Sequence, residues 1–279
     1  MVPWRAVLPA VRPLARRRSV ILSYHGVAES NADVDPEFLR VSPAAFRGQL
    51  NLLLGAGYKI VTVAELAAAA RAAGGEPPPG LAALSFDDGM DDNHHNLLPI
   101  LREYGVPASV YVATGLIGKE NPWMVPGTSR MMREDELLEL HAAGIELGAH
   151  TVTHPNMEEL TYDECLHEIT ASRDYLRELT GQPVRTFAYP FCKYGDDAIR
   201  AARDAGFEAA VTCQWRGSWD PFQMKRVMIT GKDGAPSFAL KVWELYGRLF
   251  ESAPGRVART ATRGVRRRVR SVLEARAGT

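Results

Sequence analysis

The chain alternates short apolar runs with helical patterns from Ser19 to about Thr230. The apolar runs are rich in Val, Ile, Tyr and Phe and are nearly continuous, which is typical of parallel strands buried on both faces. Several helical patterns end in glycine, which easily adopts the left-handed conformation common at helix C-termini. The alternation continues without a linker, so it predicts a single α/β domain, either a (β/α) barrel or an open sheet covered by helices.

The two ends of the chain differ from its middle in charge. The whole sequence has 33 basic and 33 acidic residues, but residues 1–19 contain five arginines and residues 251–279 contain eight. We therefore divide the chain into a basic N-terminal arm (1–18), the α/β domain (19–235) and a C-terminal part (236–279) with an amphipathic helix and an arginine-rich tail. Basic ends are typical of solvated arms, or of segments attracted to an anionic membrane surface.

Three features favour a cytoplasmic location. The N-terminus lacks the apolar core and cleavage site of a signal peptide, and no apolar stretch is long enough to cross a bilayer. The three cysteines, Cys165, Cys192 and Cys213, are an odd number without zinc-ribbon spacing, which argues against a disulfide framework. We expect a cytoplasmic protein whose basic tail offers a peripheral contact with the inner face of the membrane.

Acidic, imidazole and aromatic residues follow several predicted strands. In barrels, catalytic groups lie at the C-terminal ends of the strands. The relevant ends are Tyr24-His25-Gly26, Phe86-Asp87-Asp88-Gly89, the run from His150 to His154, and Tyr189-Pro190-Phe191. Two histidines four residues apart and one carboxylate leave open positions on a metal ion, as a catalytic metal requires. Taken singly, each motif has a plainer interpretation: a capped turn, a pair of surface histidines, or a buried histidine.

Four more polar residues follow the aspartate pair: Asp91, Asp92, His94 and His95. They lie beyond the turn, at the start of a predicted helix, where the aspartates favour the helix N-terminus through capping and the macrodipole. A third and a fourth imidazole are not needed for one ion. We therefore expect structural or solvated roles for all four.

Taken together, "SFDDG", "HTVTH" and "FAYPF" resemble, in order and spacing, the polysaccharide deacetylase family, the NodB-homology or carbohydrate esterase family 4 group. The resemblance spans about residues 19–230 and implies a distorted (β/α) barrel of the NodB type. It implies that Asp88, His150 and His154 bind one divalent metal ion, with zinc as the default and cobalt, nickel or iron as other candidates. It also implies that Asp87 is the catalytic base.

The third motif implies that the backbone N–H near Phe191 stabilises the oxyanion and that Tyr189 and Pro190 contact substrate. Many family members have arginine at the position of Ala188, which orients the base, and Arg226 is our candidate substitute. We also place Arg226 and Tyr24 among the substrate-binding residues. Cys192 stands where related sequences often have glycine.

The usual C-terminal catalytic histidine of the family is absent, since His167 is the last histidine in the chain. His25, after the first strand, resembles the displaced histidine of circularly permuted members such as the biofilm-polysaccharide deacetylases. The resemblance therefore implies that His25 is the catalytic acid.

These features predict a metal-dependent hydrolase that removes an N-acetyl group from a sugar of a glycan or glycolipid. An O-acetyl carbohydrate esterase and a catalytically impaired glycan-binding relative remain alternatives. The sequence does not favour a nucleic-acid partner, because the arginine-rich ends flank an acidic body that lacks an aromatic and basic platform.

Overall fold

The computed structural model describes residues 3, 8–9, 18–214 and 217–243. The strands are β1 (Val20–Tyr24), β2 (Gly26–Val27), β3 (Arg40–Val41), β4 (Lys59–Val61), β5 (Leu81–Phe86), β6 (Ser109–Val112), β7 (Glu146–Ala149), β8 (Thr186–Ala188), β9 (Ala209–Val211) and β10 (Val227–Met228). The helices are α1 (Pro43–Ala56), α2 (Val63–Ala72), α3 (Leu98–Tyr104), α4 (Glu134–Ala142), α5 (Tyr162–Thr180), α6 (Asp196–Asp204) and α7 (Ala235–Val242).

Within the described residues, eight strands form one parallel sheet. The order is β10-β1-β5-β6-β7-β8-β9, and β4 pairs with the first half of β5. At the far edge, a bridge between Val211 and Met224 joins β9 to the segment that leads into β10. The two edges of the sheet therefore approach each other, and the predicted α/β barrel architecture is confirmed as a curled parallel sheet covered by helices.

The helices begin where the sequence provides caps. α2 and α5 each follow a threonine, Thr62 or Thr161, whose side chain accepts a hydrogen bond from the backbone N–H of Glu65 or Glu164. Each glutamate accepts a hydrogen bond from the backbone N–H of its threonine in return, so two helix-end donors are satisfied. α5 ends at Gly181, which has a left-handed φ of 66°, as the sequence predicts.

The strands divide their side chains between two apolar clusters, because neighbouring residues of a strand point to opposite faces. Val20, Leu22 and Tyr24 belong to the larger cluster, which also contains apolar residues of α1 and α3 to α7. Ile21 belongs to the smaller cluster, which includes residues of α2. The sheet is thus covered on both faces, which leaves its C-terminal edge as the place for polar groups.

The predicted C-terminal amphipathic helix corresponds in part to α7, which buries Phe238, Ala239 and Val242 in the larger cluster. The arginine-rich tail lies outside the described residues, as does most of the N-terminal arm, so the proposed membrane contact stays a prediction. None of the helices among the described residues has the length and apolar character needed to span a bilayer.

The cysteines correct one expectation from the sequence. Cys192 and Cys213 form a disulfide with a Cα–Cα distance of 5.4 Å, so the interpretation against disulfides was wrong for this pair. The two residues are 21 positions apart, but they follow the neighbouring strands β8 and β9 and therefore meet at one edge of the sheet. The third cysteine, Cys165, is buried and unpaired among the described residues.

Gly148 of β7 is needed for the packing of β6 against β7. A Cβ at this position would overlap the ring of Tyr111 and lie 3.1 Å from the carbonyl oxygen of Thr186. We expect Gly148→Ala to lower the free energy of unfolding by about 2–3 kcal/mol through overpacking, measured by urea denaturation. In a Tyr111→Leu background the same substitution should cost less than about 1 kcal/mol; equal costs in both backgrounds would contradict this explanation.

Candidate active site

A cavity of about 280 Å³ opens at the C-terminal edge of the sheet, where barrels of this kind hold their functional groups. Its walls come from the segments that follow β1, β5, β7, β8 and β9. The predicted site residues that line it are His25, Asp87, Asp88, His150, His154, Tyr189 and Phe191. Side chains from widely separated parts of the sequence are therefore gathered around one space.

Asp88, His150 and His154 converge within this cavity. The Nε2 atoms of His150 and His154 lie 3.5 Å and 3.3 Å from Oδ1 of Asp88, and all three side chains are buried. The Nδ1 atom of His150 donates a hydrogen bond to the carbonyl oxygen of Ala188 at 2.7 Å, which orients its Nε2 atom toward Asp88. Two imidazole nitrogens and one carboxylate oxygen form a donor set that suits a divalent transition metal.

The backbone around these residues is held in an unusual conformation. Among the described residues, six non-glycine residues have a positive φ, and five of them lie at this edge: Asp88, Thr151, His154, Phe191 and Cys192. Such conformations are unfavourable and persist where the surrounding structure enforces them, often at functional sites. One contact that holds this backbone is the hydrogen bond from the backbone N–H of His154 to the Thr151 hydroxyl, at 3.0 Å.

The pKa values of the cluster favour the charge states that bind a cation. Burial by itself would raise the pKa of Asp88, but hydrogen bonds from His150 and His154 and the charge of His25 outweigh it and hold this pKa below its usual range. Burial lowers the pKa of His154 below its usual value, against the opposing effect of Asp88. At neutral pH the cluster therefore presents a carboxylate together with a neutral His154 imidazole, as metal ligation requires.

Asp87 is paired with a buried arginine. Nη1 and Nη2 of Arg226 donate to Oδ1 and Oδ2 of Asp87 at 2.7 Å and 2.8 Å. The guanidinium is itself held by the carbonyl oxygen of Thr212 at 2.8 Å and by the Ser85 hydroxyl at 3.0 Å. Burial would raise the pKa of Asp87, but Arg226, with a contribution from the charge of His150, lowers it below its usual value. Asp87 is therefore an ionised carboxylate at neutral pH.

His25 approaches the two aspartates from the segment between β1 and β2. Its charge contributes to lowering the pKa values of both Asp87 and Asp88. Its Nδ1 atom is buried, and it has no hydrogen-bond partner among the residues that the structure describes. The backbone just after His25 is anchored by Asp92, whose Oδ1 accepts a hydrogen bond from the Val27 N–H at 3.0 Å.

A family model matches the part of the chain that contains most of this site. Residues 74–210 match the family model described as polysaccharide deacetylase. The matched range is 137 residues long, slightly under half of the 279-residue chain, and it is similar to polysaccharide deacetylase domains. The matched range contains Asp87, Asp88, His150, His154 and the third motif, whereas His25 and Arg226 lie outside it. The family resemblance seen in the sequence is thus confirmed, while a circular permutation is not, so the catalytic role of His25 remains a prediction.

Individual relatives agree with this family. The chain is 26% identical over 194 residues to YxkH of Bacillus subtilis, named as a polysaccharide deacetylase; the match covers 70% of this chain and 64% of that protein, less than two thirds of its length. It is 23% identical over 248 residues to a poly-β-1,6-N-acetyl-D-glucosamine N-deacetylase of Staphylococcus aureus, with 81% of this chain and 83% of the relative covered.

A solved structure supports the fold. The deacetylase PplD of Streptococcus pyogenes in complex with acetate superposes with a TM-score of 0.69 at 25% identity, over 81% of this chain and 98% of that one. The expected distorted (β/α) barrel of the NodB type is therefore confirmed as the fold of this chain.

The third deacetylase motif forms one wall of the cavity. Phe191 is 54% exposed, and its ring centroid lies 4.4 Å from that of His154. The ring of Tyr189 also lines the cavity, while its hydroxyl donates to the carbonyl oxygen of Phe222 at 3.0 Å. Burial, with a smaller effect of Tyr194, raises the pKa of Tyr189 well above its usual value, so Tyr189 stays protonated.

Three residues predicted to bind substrate lie elsewhere. Tyr24 is fully buried and stacks on Phe86 at a centroid distance of 5.0 Å, so it belongs to the core. Arg226 is 0% exposed and contacts Asp87, so it does not face the cavity, and its contact with substrate stays a prediction. Pro190 is also buried and is not among the residues that line the cavity. Each is adjacent to or bonded to a cavity residue without itself facing the opening.

The polar residues after the aspartate pair stabilise the surrounding loops. The sequence predicted that Asp92 caps the following turn, but its side chain makes no capping hydrogen bond. Instead, it accepts a hydrogen bond from Nε of Arg40 at 2.7 Å. His94 and His95 lie near Glu136 and could form a second metal-binding group with it. Glu136, however, is already bound by both terminal nitrogens of Arg130, whose hydrogen bonds lower its pKa to about 2.

The cavity also contains residues that the sequence analysis missed. Trp123 belongs to the long segment between β6 and α4, and its ring centroid lies 4.6 Å from that of His154. Glu37, Leu39, Met228 and Thr230 also line the cavity. These residues belong to no recognised motif; the only available signal was an aromatic residue in the "NPWMVPG" loop that follows a predicted strand.

Proposed function

We propose that this chain is a metal-dependent deacetylase that hydrolyses an N-acetyl group on a sugar of a polysaccharide or glycolipid. The observation that carries this proposal is the convergence of Asp88, His150 and His154 beside an ionised Asp87 in one cavity. Two comparisons support the chemistry: the S. aureus relative is named as an N-deacetylase, and the S. pyogenes neighbour holds acetate, the product that such a hydrolysis releases.

The donor set fits one divalent ion, and zinc is the first candidate because imidazole and carboxylate are its common catalytic ligands. Asp88, His150 and His154 would hold it through Oδ1 and the two Nε2 atoms. The hydrogen bond from His150 Nδ1 to Ala188 is the outer contact that orients such a ligand. When bound, the ion polarises the acetyl carbonyl and lowers the pKa of the attacking water.

The protein side chains then divide the proton transfers. Asp87 accepts the proton of the water that attacks the carbonyl carbon, and Arg226 holds its carboxylate in position. The backbone N–H of Phe191 stabilises the negative oxygen that forms, a contribution of about 3–4 kcal/mol for one well-placed donor. His25 donates a proton to the sugar nitrogen as the carbon–nitrogen bond breaks, so that an amine leaves with acetate as the other product.

Acetate release tests this proposal directly. Purified protein loaded with Zn²⁺ should release acetate and expose primary amines on oligomers of β-1,6-linked N-acetylglucosamine, and a chelator should abolish this activity. N-acetylated glycolipids and O-acetylated sugars are the parallel substrates. Release from O-acetylated sugars alone would favour an esterase, and a metal-loaded protein that cleaves none of them would reject the proposal.

Removal of a metal ligand provides a separate test. We expect His154→Ala to lower metal affinity by more than about 100-fold, since loss of even an outer contact to a ligand costs about 10–100-fold, and to abolish acetate release. Metal content after dialysis, measured by mass spectrometry, checks the first effect. The matched control is His95→Ala, which should bind metal and turn over like the unmodified protein. Undiminished metal content in His154→Ala would contradict this ligand set.

A further inference from the structure

The Cys192–Cys213 disulfide forms part of the wall of the active-site cavity. Both cysteines line the cavity and are half-buried, so the bond is within reach of small molecules that enter it. Cys192 follows β8 and Cys213 follows β9, and the disulfide connects these two segments.

One end of the disulfide fixes the segment that contains Phe191. Phe191 and Cys192 are consecutive non-glycine residues with φ values of 52° and 57°, a backbone conformation that L-residues avoid unless it is enforced. Two hydrogen bonds support this turn, from the Cys192 N–H to Tyr189 at 3.3 Å and from the Lys193 N–H to Pro190 at 3.0 Å. The disulfide adds a covalent restraint at the residue directly after Phe191.

The other end reaches the residues that hold Asp87. Cys213 follows Thr212, whose carbonyl oxygen accepts the hydrogen bond from Nε of Arg226. The Sγ atom of Cys213 lies 3.8 Å from Nη2 of Arg226, the nitrogen that donates to Oδ2 of Asp87. The disulfide thus connects the segment of the Phe191 amide with the segment that supports the Arg226–Asp87 pair.

We propose that the Cys192–Cys213 disulfide is a positioning element for catalysis, which fixes the position of the Phe191 N–H relative to Asp87. Reduction of the disulfide should therefore lower turnover. This inference rests on the proposed deacetylase function. Reduction by a phosphine breaks the sulfur–sulfur bond: the phosphine and one water molecule become phosphine oxide, and the two electrons and two protons they supply yield two cysteine thiols. Cys192 is then free to leave its left-handed conformation, and the Phe191 amide moves with it.

The test compares oxidised and reduced protein. The Zn²⁺-loaded protein is treated with a phosphine, separated from the reagent and assayed without oxygen, and thiols are counted after unfolding. We expect one thiol before treatment and three after it. We expect kcat for acetate release to fall about tenfold, with KM and bound metal nearly unchanged, because an oxyanion donor acts mainly in the transition state. Reoxidation should restore kcat.

Two variants separate this effect from general damage. Cys192→Ser combined with Cys213→Ser should have the low kcat of the reduced protein and should not respond to the phosphine. Cys165→Ala should respond like the unmodified protein, because Cys165 is buried and unpaired among the described residues. Three thiols before treatment, or a kcat that is unchanged after verified reduction, would overturn the inference alone. An oxidised, metal-loaded protein without acetate release would overturn the proposed function and this inference with it.

Discussion

The Asp87→Asn variant is expected to lose about a thousandfold in kcat for acetate release while it keeps its bound metal. Asparagine has nearly the shape of aspartate, and its side-chain oxygen can still accept a hydrogen bond from Arg226. It cannot, however, take a proton from the attacking water. Acetate release and metal content, measured on the same preparation, show whether chemistry is lost without loss of the ion.

Two neighbouring aspartates serve as controls for this experiment. Asp88→Asn should lose both metal and activity, because Asp88 is the predicted ligand. Asp91→Asn should retain both, since Asp91 contacts the Ser129 hydroxyl and does not line the cavity. If Asp87→Asn keeps more than about a tenth of the activity, a general base worth 10²–10⁴-fold cannot be at this position.

The Arg226→Met variant is expected to lose stability and to change its pH dependence. Methionine fills much of the same volume but leaves the buried carboxylate of Asp87 without its cationic partner. Loss of one member of a buried ion pair costs about 3–5 kcal/mol, and urea denaturation at neutral pH should show a decrease of that size in the free energy of unfolding.

The direction of the pH effect follows from the pKa of Asp87. In the unmodified protein this pKa is lowered, so the ionised carboxylate adds stability above the unfolded-state pKa, and this stability is lost as the pH falls through the folded-state value. Without Arg226, burial raises the pKa and the sign reverses. The variant then loses stability as the pH rises through the raised folded-state pKa, and the acid limb of kcat/KM moves to higher pH because the base is protonated.

Two further variants make this prediction specific. Arg226→Lys keeps the positive charge but loses the bidentate hydrogen bonds to Asp87. Its stability and pH profile should therefore lie between those of Arg226→Met and the unmodified protein. Arg47→Met removes an arginine from an exposed pair with Glu103 and should cost less than about 1 kcal/mol. An unshifted acid limb in Arg226→Met would show that Arg226 does not control the ionisation of Asp87.

Much of the fold could be predicted from the sequence, because strand burial and helix capping are local properties. The apolar runs predicted the parallel strands, and Thr161 and Gly181 mark the two ends of α5. The positions of Asp87 and Asp88 directly after a strand likewise placed them at the edge of the sheet where catalytic groups gather.

Tyr24 and His25 show where such local reasoning stops. The two residues are adjacent, and the sequence pattern placed both at the site. Only His25 lines the cavity, whereas Tyr24 is the last residue of β1 and packs on Phe86. Neighbouring residues of a strand face opposite ways, so the outcome depends on the residue at which the strand ends, and apolar composition does not define that point.

By itself, the sequence determined the α/β class, the family resemblance and the residue types available for metal binding and proton transfer. Only the tertiary structure decided which distant groups meet: Arg226 with Asp87, 139 positions apart, and Cys192 with Cys213. The physical reason is that these contacts depend on strand order and register around the curled sheet, which place loops from β5, β8, β9 and β10 at one edge. Local sequence patterns specify each loop but not its neighbours.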